Sequence, residues 1–329
     1  MSESETPGAV DFEDCLGVLR VYKDGTVRRS SDASLFCTPV NDDGSVVWKD
    51  TIFDPQNDLH LRLYKPSSSS SSSSAAAAAK LPVVYNIHGG GFCLGSRTSP
   101  NCHNCCLRLS SILQAVVVSP DYRLAPEHRL PAAVDDGHAA LKWLRDRAVA
   151  GDDTWLSDVA DFGKVLVCGE SAGGNIAHNL AVRLGSGSPE LEPVRVKGYV
   201  LLAPFFGGTV RTKSEAEATK DQILNLDLVD WFFRHSVPIG DTSDHPLVNP
   251  FGPRSESLEA LELDPMVVCC GGDDILVDRI RDYVERLEKL GKRVEYAEFE
   301  GEGHGFFVNN LDSEAVKSVM EMMKKLVNG

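Results

Sequence analysis

A chain of 329 residues, 42% hydrophobic and 25% charged, has the composition of a soluble globular protein and the length for one large α/β domain or two small ones. Its net charge of −15, from 33 basic against 48 acidic side chains, argues against nucleic acid or an anionic membrane surface as partner, because both require clustered Lys and Arg. The acidic start MSESETPGAVDFED lacks the basic and apolar regions of a signal peptide. No apolar run approaches the ~18 residues of a membrane span. The nine cysteines, odd in number and scattered, with Cys168, Cys269 and Cys270 in apolar runs, read as buried thiols of a reducing compartment. A cytoplasmic protein is expected, with the nucleus as the alternative.

The first 40 residues carry no pattern that places them in a sheet. Runs at 45–53 and 60–65 read as an antiparallel opening pair of strands. Eight serines (67–74) and five alanines (75–79) follow as a low-complexity, solvated linker between strands. From residue 81 onward, short β-branched runs at 81–87, 115–119, 164–168, 196–202, 266–270 and 293–299 alternate with amphipathic stretches at 104–113, 132–148, 175–184, 278–290 and 313–327. Short apolar runs separated by helices indicate a mostly parallel sheet, buried on both faces and joined by right-handed crossovers. The expected class is α/β, one domain over 1–329, with a ligand crevice beyond the carboxyl ends of the strands.

Two stretches stand apart from this rhythm. Residues 205–250 hold Phe205-Phe206-Gly207-Gly208 and a helical run at 224–233 with Trp231 and Phe232. They are a candidate cap over the crevice, together with the first 40 residues; ordinary surface helices are the alternative. Cys102-His103-Asn104-Cys105-Cys106 superficially suggests a metal site, but no second pair matches it, so it reads as a helix-packing face.

Three motifs follow strands at the crevice end. In 165–175 an apolar strand turns through Gly169-Glu170-Ser171-Ala172-Gly173 into a helix. A serine between glycines on such a turn stands clear of its own backbone, as an exposed nucleophile must. His88-Gly89-Gly90-Gly91-Phe92 follows the strand 81–87, and its glycines free backbone N–H groups to face a cavity. The expected oxyanion donors are the N–H groups of Gly90, Gly91 and Ala172. A phosphate loop is the rival, but the spacing of its motif is missing. His88 is read as a structural support of the loop. Near the C-terminus, Gly303-His304-Gly305-Phe306 follows the last strand, and Gly271-Gly272-Asp273-Asp274 the strand before it. The order Ser171, Asp274, His304 is that of a nucleophile–acid–base triad. Asp273 is the runner-up to Asp274, and Asp278 reads as a helix cap or support. Phe92, Phe206, Trp231 and Phe232 suggest an apolar substrate pocket.

These residues resemble the hormone-sensitive-lipase-like branch of the α/β-hydrolases, specifically the plant carboxylesterases, over roughly residues 45 to 329. The markers are HGGGF at 88–92, DYRLAPEHRLPAA at 121–133, GESAGGN at 169–175 and GHGF at 303–306. Within plants the chain looks most like the carboxylesterase 15 group, through LHLRLYKP at 59–66, CHNCCL at 102–107, PVRVKGYVLLAPFFGG at 193–208 and NPFGP at 249–253. The resemblance implies an α/β-hydrolase fold with a helical cap, and prefers Asp274 as the acid. It implies a serine esterase without cofactor or metal, a small-molecule ester as its partner, and a monomer or homodimer. The butenolide ester of strigolactones is the substrate that group suggests. Gibberellin receptors share most of these motifs, but in them the triad histidine is replaced; here His304 is present. A non-catalytic receptor and a carboxylesterase-like dehydratase are the alternatives.

Overall fold

The computed structural model describes residues 11–30, 39–67, 79–220 and 222–329. Most of the Ser/Ala run and part of the N-terminal segment expected to serve as a cap lie outside the described residues. The chain divides into two compact units, Met1–Cys37 and Thr38–Gly329.

The first unit contains a three-stranded antiparallel sheet, β1 (Phe12–Cys15), β2 (Leu19–Tyr22) and β3 (Val27–Arg29), with β2 in the middle. Asp14 stabilises its first turn by accepting from Gly17 N at 2.8 Å. Runs of three or four residues are too short to display a period, so these strands have no signature in the sequence pattern.

The second unit is built on eight strands: β4 (Val46–Asp54), β5 (Leu59–Pro66), β6 (Leu81–Ile87), β7 (Val116–Pro120), β8 (Ala160–Glu170), β9 (Val196–Leu202), β10 (Met266–Gly271) and β11 (Val294–Phe299). Their spatial order is β11-β10-β9-β8-β6-β7-β5-β4. Strands β6 to β11 run parallel to one another, whereas β5 runs antiparallel to both β4 and β7. The chain passes from β6 to β7 on one side and then returns to β8 on the other. The loops leaving β6 and β8 therefore diverge, which opens a crevice at the carboxyl ends of those two strands.

Nine helices occur among the described residues: α1 (Pro100–Leu113), α2 (Ala132–Ala150), α3 (Thr154–Ser157), α4 (Ala172–Leu184), α5 (Lys213–Glu217), α6 (Leu226–Ser236), α7 (Val277–Lys289), α8 (Phe306–Asn309) and α9 (Glu314–Asn328). Helix α1 starts four residues before the expected 104, at a proline whose missing N–H has no intrahelical partner to lose. Helices α1 and α9 bury one face of the sheet: Val84, Val117, Leu166, Val200 and Val267 pack with Cys102, Cys105, Cys106, Val319 and Met323. Alternate strand residues such as Tyr85 and Tyr199 belong to the other face, where Tyr85 Oη donates to Gly137 O of α2 at 2.7 Å. Fully burying each such aliphatic side chain is worth ~1.5–3 kcal/mol, so two-sided burial anchors the strand ends from which the site is built. The cysteines of the CHNCC run sit in this core, as the packing reading expects. No helix among the described residues is long and apolar enough to cross a membrane.

Candidate active site

Ser171 occupies the turn between β8 and α4 with φ 54° and ψ −118°, a conformation that non-glycine residues rarely adopt. Three backbone hydrogen bonds hold it there: Ser171 N donates to Leu202 O at 2.8 Å, and Ser171 O accepts from Asn175 N at 3.0 Å and Phe205 N at 2.9 Å. The flanking glycines are required by close approach. A Cβ on Gly169 would lie 2.1 Å from Gly173 O, and one on Gly173 would lie 2.1 Å from Ile87 O. The serine is thus fixed over the end of β6, at the N-terminus of a helix whose dipole favours negative charge.

His304, in the loop between β11 and α8, brings the other two groups together. Its Nδ1 lies 2.8 Å from Asp274 Oδ2 and its Nε2 lies 2.9 Å from Ser171 Oγ. A carboxylate can only accept, so Nδ1 carries the proton and Nε2 is left to accept from the serine hydroxyl. Asp274 is 1% exposed, and its second oxygen accepts from Leu276 N at 2.9 Å. Asp273 is exposed, and its backbone N donates to Glu302 O at 3.0 Å. Chain reversal after β10 therefore aims the second of the two aspartates, not the first, at the histidine. Asp278 is not the N-cap of α7, which is Leu276; its carboxylate instead accepts from Ser214 N at 2.7 Å and supports α5. Burial pushes the His304 pKa down, but the charge and hydrogen bond of Asp274, helped by the charge of Glu170, outweigh it and raise the value above that of a free imidazole.

The glycine loop leaves β6 against this turn. Gly90 and Gly91 have φ 110° and 60°, and Gly90 O accepts from Cys93 N and Leu94 N at 3.0 and 2.9 Å, folding the loop back on itself. His88 stacks on Tyr122 with ring centroids 4.3 Å apart, and the Tyr122 hydroxyl lies 3.1 Å from His88 O and 3.3 Å from Gly89 O. Tyr122 belongs to the DYRLAPEHRLPAA segment, whose other residues fix the same loop. Arg123 forms a bidentate pair with buried Asp136, Ala125 N donates to Phe92 O at 2.9 Å, and Arg129 reaches Arg234 O and Val237 O at 2.7 Å. The segment buttresses the glycine loop and ties it to the end of α6. The signal available in sequence was its density of Pro and Arg between two elements, which marks a fixed turn but not its neighbours.

The aromatic residues divide. The Phe232 ring lies against Gly91, where an added Cβ would come within 2.3 Å of it. Phe92 and Phe232 each meet Phe205 with centroids 6.1 Å apart, and Phe233 stacks on Phe205 at 4.4 Å. Trp231 packs on Phe232 and His235. Phe206, by contrast, turns to Tyr283 at 4.5 Å and His178 at 5.5 Å. Phe205 therefore joins the cluster of Phe92, Phe232 and Phe233, while Phe206 packs with the side chains of α4 and α7.

A family profile described as alpha/beta hydrolase fold matches residues 83–308. Carboxylesterase 20 of Arabidopsis thaliana is 38% identical, covering 92% of this chain and 93% of that protein. Gibberellin receptor GID1C of the same plant is 37% identical, covering 79% of this chain and 74% of the receptor. Among solved structures, the hyperthermophilic esterase of the archaeon Pyrobaculum calidifontis is 30% identical with a TM-score of 0.69, covering 90% of this chain and 86% of that one. With the eight-stranded sheet and the strand–serine–helix turn described above, these matches establish that the chain belongs to the alpha/beta hydrolase fold family, on its hormone-sensitive-lipase-like carboxylesterase branch.

Proposed function

We propose that this protein is a serine carboxylesterase acting on small apolar esters, with Ser171 as nucleophile, His304 as base and Asp274 as the group that orients it. What supports this reading is the contact chain Asp274–His304–Ser171, at 2.8 and 2.9 Å, on a serine held in a strained turn. The Ser171 hydroxyl attacks the ester carbonyl while His304 Nε2 accepts its proton. The imidazolium, stabilised by Asp274, then gives that proton to the departing alcohol. A water deprotonated by His304 hydrolyses the acyl-serine and frees the enzyme. The N–H groups of Gly90, Gly91 and Ala172 are assigned to the oxyanion, and the α4 dipole acts in the same sense. Residues 205–250, whose Phe232 rests on the glycine loop, are assigned to the cap.

The finer substrate assignment is the butenolide ester of strigolactones, which rests on the sequence cues of the carboxylesterase 15 group. A binding-only role like that named for the gibberellin receptor relative has no need of a serine-bonded histidine, and His304 favours turnover. Ser171→Ala should lower hydrolysis of a p-nitrophenyl ester by ~10⁴ or more with little change in Tm. Retention of a tenth of wild-type turnover overturns the mechanism. Incubation with a strigolactone, with products identified by mass, tests the substrate: intact ligand after prolonged incubation rejects it.

A further inference from the structure

Glu170, the last residue of β8, stands beside the proton relay without belonging to the three residues assigned to it. Its Oε1 lies 4.0 Å from His304 Nε2, the nitrogen that faces Ser171. A Cβ on Gly89 would lie 2.2 Å from Glu170 Oε2, and one on Gly305 3.7 Å from Oε1. The carboxyl group is therefore held between the start of the glycine loop and the histidine loop. Its side chain is only 14% exposed. His304 thus has a carboxylate on each side, Asp274 at Nδ1 and Glu170 near Nε2.

We propose that Glu170 is a positioning residue of the proton relay, stabilising the His304 imidazolium from the Nε2 side as Ser171 loses its proton and thereby placing the acid limb of activity. Asp274 satisfies the imidazole N–H that is present throughout the cycle. Glu170 faces the edge that acquires a proton during the reaction, so its attraction grows as charge develops. The groups around Glu170 are His304 and Asp274 from the loops after β11 and β10, Tyr122 from the segment after β7, Cys105 on α1 and Cys168 on its own strand. Burial raises the pKa of the tyrosine and both thiols, which stay neutral, so His304 and Asp274 are its electrostatic partners. Burial, reinforced by Asp274, raises the pKa of Glu170 itself, and His304 opposes the rise.

An opposite charge within ~4–6 Å shifts a titration by ~1–3 units. Glu170→Gln removes a negative charge that favours imidazolium, so the acid limb of kcat/KM should move to lower pH by about 1 unit, with kcat on the plateau down about tenfold. Glu170→Asp withdraws the carboxylate by one methylene and should shift the limb in the same direction by less. NMR titration of the His304 imidazole in wild type and both variants should show the same displacements. That measurement needs no turnover, so it is separable from the ester-hydrolase reading, which Ser171→Ala tests on its own. If Glu170→Gln does not fold, the Asp variant decides. An acid limb and a His304 titration that stay where the wild type has them, whatever happens to the overall rate, overturn the proposal.

Discussion

Replacing Asp274 by Asn alters one atom and tests the geometry of the relay directly. The Asp274 side chain is wholly enclosed and accepts two hydrogen bonds, from His304 Nδ1 at 2.8 Å and from Leu276 N at 2.9 Å. Asparagine supplies a single acceptor oxygen. If that oxygen stays with Leu276 N, the amide NH₂ faces Nδ1 and forces the imidazole into the tautomer with its proton on Nε2, aimed at Ser171 Oγ. The base is then lost. In the opposite amide orientation, NH₂ and Leu276 N become two donors facing each other across a buried gap, at a penalty of ~1–3 kcal/mol. The first orientation is therefore favoured, and with the base lost kcat should fall by ~10⁴, equivalent to ~5 kcal/mol of barrier. Asp273→Asn is the internal control. That side chain is exposed, and its backbone bonds to Glu302 O and Gln222 Nε2 survive the change. Surface changes of this kind are worth ~0.5 kcal/mol, so it should stay within about twofold of wild type. The assay is initial-rate hydrolysis of p-nitrophenyl acetate near pH 8, on variants whose far-UV CD matches wild type. Asp274→Asn within tenfold of wild type, or Asp273→Asn as the more damaged enzyme, refutes the reasoning.

Two further expectations concern the supports of the site. Tyr122→Phe removes the hydroxyl that reaches His88 O and Gly89 O, and should lower stability by ~1–3 kcal/mol and kcat several-fold; unchanged p-nitrophenyl acetate turnover would show that the glycine loop holds itself. Burial pushes the pKa of His178 down to about 3, against 6.5 for a free histidine. The unfolded chain therefore takes up a proton below pH 6.5 that the folded chain refuses until near pH 3. Stability should be lost progressively as pH falls through that window, by about 2 kcal/mol between pH 6.5 and 5. Urea unfolding of wild type against His178→Gln measures it, and identical pH slopes in the two proteins contradict the assignment.

Much of the fold was legible because its constraints are local. The apolar runs from 81 to 299 alternate with helical periods, and every one of those strands occurs within a few residues of its expected place. Helix α4 starts three residues earlier than its periodicity suggests, directly after Ser171, because Ala172, Gly173 and Gly174 have no apolar face by which to recognise a helix. The small sheet at 12–29 was missed for the same kind of reason, its strands being too short to repeat.

The chemistry divides along the same line. Gly169, Ser171 and Gly173 mark the elbow in the text because a sharp strand-to-helix turn tolerates few residue types, and His88-Gly89-Gly90-Gly91 marks a loop that needs positive φ at Gly90 and Gly91. Those are demands of the backbone on its own neighbours, and a sequence carries them openly. The preference for Asp274 over Asp273 was available beforehand, and Asp274 is the one bonded to His304, but which of two adjacent phenylalanines joins Phe92 and Phe232, and that Glu170 comes to rest 4.0 Å from the histidine, were decided by how β6, β8, β9 and β11 align across the sheet. Such outcomes depend on ångström-scale register between segments remote from one another along the chain, and no period or spacing encodes them.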